Sequence, residues 1–100
     1  MASVSVLDVV DLTRRLIAAP SVTPARGAVF DVLEAALTSL GFAVERFVDG
    51  DAPDGPVENL LAVRGSGPRH IGFAGHLDVV PAGDGWTGDA FVPRETDGLL

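Results

Sequence analysis

The run His70-Ile71-Gly72-Phe73-Ala74 places apolar residues on both parities of an extended chain, and this pattern constrains the fold more than any other stretch. Successive strand side chains alternate between faces, so a strand that is apolar on both expects cover on both. Such a strand belongs in the middle of an α/β sheet. The residues before it fit that frame. Residues 4–19 read as a first helix, with Val9, Leu12, Leu16 and Ile17 at helical spacing and Asp8, Asp11, Arg14 and Arg15 on the polar side. Pro20 ends it. Thr23 and Pro24 read as the cap and first position of a second helix. That helix is expected to reach Leu40 on an apolar stripe of Val29, Phe30, Leu33, Leu37 and Leu40, with Gly41 as its left-handed stop.

Residues 42–48 alternate as a short strand, residues 49–56 form a turn-rich loop, and residues 59–64 read as a second strand. Gly65-Ser66-Gly67-Pro68 turns the chain into the third, central strand. Residues 81–98 are loop-like. Two helices followed by strands make a layered α/β beginning, in which ligands bind beyond the carboxyl ends of the strands. One hundred residues suffice for one small domain.

The expected strand end carries Gly75-His76-Leu77-Asp78, followed by Val79-Val80-Pro81. His76 and Asp78 share a side if the strand persists through them. A histidine oriented by a carboxylate is a frequent arrangement around zinc. From spacing alone the pair also describes a structural or surface contact. There is no cysteine, so any metal must be held by His, Asp or Glu. His70 shares parity with His76 but lies about 20 Å away along an extended chain, too far to share a metal, and reads as structural or surface.

Other patterns point to no chemistry. Asp49-Gly50-Asp51-Ala52-Pro53-Asp54-Gly55 has its glycine misplaced for a calcium loop and a proline at a ligand position, so it reads as a solvated loop. Gly65-Ser66-Gly67 precedes a strand and lacks a third glycine, which argues against a dinucleotide fingerprint. Trp86 and Phe91 anchor the long loop onto the core or line a cleft; Asp84, Asp89 and Asp97 read as turn formers. All seven basic residues are arginine against fourteen acidic ones, a net charge of −7 that disfavours nucleic acid and anionic membranes as partners. No signal peptide or membrane span is read in residues 1–20, where Asp8 and Asp11 interrupt the apolar residues, so a cytoplasmic protein is expected.

Taken together, Gly75-His76-Leu77-Asp78-Val79-Val80-Pro81, Gly83-Asp84, Trp86, Phe91, Pro93 and Asp97-Gly98 resemble the M20 metallopeptidase and amidohydrolase family. Leu16 to Pro24, Leu40-Gly41-Phe42, Asn59-Leu60 and Phe73-Ala74-Gly75 extend the likeness, in family order, over nearly the whole chain. The resemblance implies a zinc-peptidase-like catalytic domain with a mixed, largely parallel central sheet, of which residues 1–100 are the N-terminal, incomplete portion. It implies that His76 is a metal ligand and that Asp78 is the catalytic-site carboxylate that clamps its imidazole. The family's usual threonine between the two is Leu77 here, and that side chain is expected to point away from the metal.

Two zinc ions per complete site, with cobalt as a substitute, are implied as cofactors. So are further ligands and a glutamate base outside this chain, an N-acyl amino-acid substrate, and a homodimer. The implied reaction is metal-dependent amide hydrolysis in amino-acid biosynthesis. An N-acetylornithine deacetylase, a dipeptidase and a non-catalytic α/β module remain the alternatives. Residues 1–100 alone are expected to be inactive and to bind zinc weakly, because catalytic zinc takes about three protein ligands.

Overall fold

The computed structural model describes residues 7–100. Helix α1 (Val9–Ala18) and helix α2 (Ala28–Ser39) precede strands β1 (Ala43–Asp49) and β2 (Val57–Val63). The order is α/β, and the two strands form one antiparallel pair, in register from Ala43 opposite Val63 to Asp49 opposite Val57.

The first helix starts later than its sequence pattern suggests. Asp8 caps it, its Oδ1 accepting from the amides of Val10 at 2.9 Å and Asp11 at 3.2 Å. The expected turn over residues 4–6 lies outside the described residues. Val9 does not join the apolar stripe: as the first helical residue it is 73% exposed. Leu12, Leu16 and Ile17 are half-buried, and Leu16 packs on the core.

Helix α2 starts at Ala28, not at Pro24, and its cap position is Gly27 at φ +67°. Thr23 is not the cap because its hydroxyl and amide are engaged by residues 78 and 79. The other end of α2 follows the sequence. Gly41, at φ +89°, donates its amide to Thr38 at 3.0 Å, while Phe42 donates to Leu37 at 3.0 Å. These two bonds are the Schellman pattern, and they turn the chain directly into β1.

One face of the hairpin, carrying Val44, Arg46, Leu60 and Ala62, is half-buried and packs toward α2. The core is small: Ala19, Ala25, Val29 and Phe30, with Leu16, Val32, Leu60 and Leu77 against it. Val29, at 1% exposure, is its most deeply buried member. On the opposite face of the hairpin Phe47, Leu61 and Val63 remain exposed.

The expected third strand is not formed. Residues 70–78 have no ladder partner among the described residues, and Phe73 is 93% exposed. Apolar residues on both parities signal a need for cover but do not supply it. Backbone pairing requires a neighbouring strand, and none of the described residues pairs with this segment as a ladder. Among the described residues, the one parallel pairing is the isolated bridge between Val22 and Val79. Open faces also show in the totals. The accessible surface is 7842 Å², against about 5,400 Å² for a compact monomer of this mass. The radius of gyration is 16.0 Å, against about 13 Å for a compact 100-residue domain.

The long loop is held locally. The Trp86 indole donates to the Ala82 carbonyl at 2.9 Å, and the ring stays more than half exposed, so it does not anchor the loop on the core. Phe91 is half-buried. Asp89 accepts from the Phe91 amide at 2.8 Å, which fits its reading as a turn former. Asp97 (φ +54°) and Gly98 (φ +77°) make a two-residue turn closed by paired bonds between Thr96 and Leu99. Both positive φ values suit an Asp-Gly type I′ turn. Among the described residues, no helix is long and apolar enough to cross a membrane.

Candidate metal-ligand site

His76 and Asp78 come together, though not by strand alternation. The chain bends so that the imidazole Nδ1 lies 2.9 Å from the Asp78 carbonyl oxygen and 3.1 Å from its Oδ1. Both neighbours are acceptors when the carboxylate is ionised, so Nδ1 is the nitrogen that carries the proton. The Nε2 lone pair is then free on a side chain that is 81% exposed. This is the tautomer a metal-ligating histidine uses when a carboxylate holds its other nitrogen.

Asp78 is itself held from the far side. The Thr23 hydroxyl donates to Asp78 Oδ2 at 2.8 Å. That bond first, and the His76 contact after it, keep the Asp78 carboxyl below the usual carboxylate range, against partial desolvation that pushes it up. The backbone beneath is clamped: Thr23 N–H donates to the Val79 carbonyl and Val79 N–H to the Ser21 carbonyl, each at 2.9 Å. Leu77, between the two polar residues, packs against the core. Its side chain therefore serves as the anchor of this segment.

A cleft of about 260 Å³ opens beside the pair, lined by His76, Asp78, Glu58, Asn59, Phe30 and Leu60 among others. Glu58 accepts from the Gly27 amide at 2.9 Å and from Arg46 at 3.1 Å. The Gly27 amide first, then Arg46, hold the Glu58 carboxyl below its ordinary value. Arg46 also reaches Asp31 at 2.5 Å and Glu34 at 3.1 Å, and its guanidinium lies 5.9 Å from the Phe30 ring centre. This cluster ties β1 and α2 to Glu58 of β2, which lines the cleft. Sequence reasoning missed it, although a signal existed: Arg46 alternates with Phe42 and Val44, and a charge on that parity requires partners. Thr23 had no comparable signal, because Asp78 is 55 residues away.

His70 is exposed, and the loop over residues 50–54 is exposed with its acidic side chains in solvent. Among the described residues, no group of three or more His, Cys, Asp or Glu side chains could hold a metal. The residues present therefore fit one ligand and its orienting carboxylate, not a closed metal site.

No family model and no solved structure matches the chain. Curated proteins do. It is 73% identical over 95 residues to a succinyl-diaminopimelate desuccinylase of Sphingopyxis alaskensis, covering 94% of this chain and 25% of that protein. A protein of the same name from Rhizorhabdus wittichii is 61% identical, with 94% and 25% covered. One from Novosphingobium aromaticivorans is 60% identical, with 94% and 26% covered. The chain spans about a quarter of the length of the curated relatives it matches, and over nearly all of its own length it is similar to succinyl-diaminopimelate desuccinylases.

Proposed function

We propose that residues 1–100 are the N-terminal part of the catalytic domain of a succinyl-diaminopimelate desuccinylase of the M20 type, a metal-dependent hydrolase of linear amide bonds. The reaction is hydrolysis of N-succinyl-LL-2,6-diaminopimelate to succinate and LL-2,6-diaminopimelate, in the route to lysine. The observation that carries this reading is the 73% identity across 94% of the chain to a curated protein of that name. The exposed Nε2 of His76, set by two acceptors on Nδ1, supports its role as a metal ligand. The carboxyl end of residues 70–74, apolar on both parities, supports a place for that segment in a larger, mixed and largely parallel sheet.

In this proposal His76 holds one of two zinc ions, for which cobalt can substitute, and the other ligands come from outside residues 1–100. When bound, such metals polarise an amide carbonyl and lower the pKa of water. The residues of this chain have simpler tasks. Asp78 fixes the imidazole and keeps the proton on Nδ1. The cleft beside them offers an apolar floor at Phe30 and Leu60 and the polar edge of Asn59. The complete protein is proposed to be a cytoplasmic homodimer acting on a small N-acyl amino acid. Alone, residues 1–100 are proposed to be inactive.

The test is hydrolysis by the full product of the gene that encodes this chain, over a panel of N-succinyl-LL-2,6-diaminopimelate, N-acetylornithine and dipeptides. The proposal expects metal-dependent release of succinate, with the succinylated substrate preferred. Absence of metal-dependent hydrolysis across the panel would defeat it. Asp78→Asn is expected to lower turnover more than metal content.

A further inference from the structure

We propose that Thr23 is a positioning residue for His76, acting through Asp78. A carboxylate held by one contact on one oxygen can swing about its terminal torsion, which is broad and weakly preferred. Asp78 is held on both oxygens, by His76 at 3.1 Å on Oδ1 and by Thr23 at 2.8 Å on Oδ2. The second hold is stiff for two reasons. Threonine is β-branched and restricted at χ1. Its backbone is also fixed to the same segment by the paired bonds among Ser21, Thr23 and Val79. The hydroxyl has a single proton, and the Val79 carbonyl is also in reach at 3.2 Å. The shorter bond goes to the charged acceptor, the stronger partner.

The loop after α1 therefore sets the plane of the Asp78 carboxylate, and that plane, together with the Asp78 carbonyl at 2.9 Å, sets which imidazole nitrogen is protonated. This explains why Ser21-Val22-Thr23 runs as a bridge to Val79 and not as the start of α2. The consequence for metal binding rests on the proposed role of His76 as a ligand; the geometry of the relay stands without it.

The experiment reads the tautomer directly, without metal. The ¹⁵N-labelled 100-residue chain, in chelator at about pH 8 so that histidine is neutral, gives imidazole ¹⁵N shifts. A His70→Gln variant assigns the second ring. In the wild type and in Thr23→Ser, the Nδ1–H form of His76 is expected to dominate. In Thr23→Val the ratio of Nε2–H to Nδ1–H is expected to rise by on the order of tenfold, the scale of one lost hydrogen bond to a charged group. In an Asp78→Asn background the same valine is expected to change nothing.

An unchanged ratio in Thr23→Val, or the same valine effect with Asp78 removed, would overturn the proposal. If the valine variant loses the amide signals of β1 and β2, the wild type decides instead. A Thr23 hydroxyl proton donated to a carboxylate is then expected as a resolved resonance with a cross-peak to the Asp78 β-protons. Its absence would overturn the proposal. A tautomer change in a gene product that releases no succinate would sink the proposed function and leave the relay standing. Succinate release with an unchanged tautomer would do the reverse.

Discussion

Two valines in two helices receive opposite treatment from this fold, and the same substitution at each measures the difference. Val29 is 1% exposed in the core, whereas Val9 is 73% exposed at the start of α1. Val29→Ala removes the equivalent of two buried methylenes, about 1.6 kcal/mol at about 0.8 each. The incompletely filled space raises this to about 2 kcal/mol. Alanine returns about 0.5 kcal/mol in helix propensity, leaving a net loss of about 1.5 kcal/mol. At Val9 there is nothing to unpack, so Val9→Ala should stay within about 0.5 kcal/mol. With a slope of about 1 kcal/mol per molar urea, Val29→Ala should lower the unfolding midpoint by about 1.5 M. Far-UV circular dichroism in urea reads both variants. Equal midpoint shifts at the two sites would refute the burial of the α2 face against Ala19, Ala25 and Leu16.

Three further substitutions test the folded frame. Glu58 is held below its ordinary pKa when folded, so its contribution is present above that ordinary value and fades as pH falls through the lower, folded value. Glu58→Gln should therefore lower the urea midpoint at pH 7 and flatten its decline between about pH 5 and 3; an acid limb as steep as the wild type's would contradict the Gly27 and Arg46 contacts. Gly41→Ala should cost about 1 kcal/mol, because φ +89° suits glycine and ends α2, while Gly72→Ala, with no atom near the added methyl, should cost under about 0.5 kcal/mol. The urea midpoints of that pair compare the two directly.

What the sequence made legible were features whose cause is local. Gly41 announces the end of α2 because only a residue tolerant of positive φ closes a Schellman turn there. Asp97-Gly98 announces its tight turn for the same reason. The alternation of Phe42, Val44 and Arg46 announces β1. His76 and Asp78 are two residues apart, so their meeting needs only a bend. What stayed hidden depends on distant partners. Thr23-Pro24 has every local mark of a helix start, yet the threonine is taken by Asp78 and Val79. Residues 70–74 have the composition of a central strand, yet a strand is a property of a pair, and the described residues supply no partner. Arg46 joins three carboxylates from two other elements, which periodicity along one strand does not reveal.

The measurement that bears most directly on the central claim is the metal content of the full gene product after dialysis, in the wild type, His76→Ala and His70→Ala. The account predicts two metal equivalents in the wild type and in His70→Ala, and loss of one equivalent together with succinate release in His76→Ala. Retention of both metals and of hydrolysis in His76→Ala would contradict it.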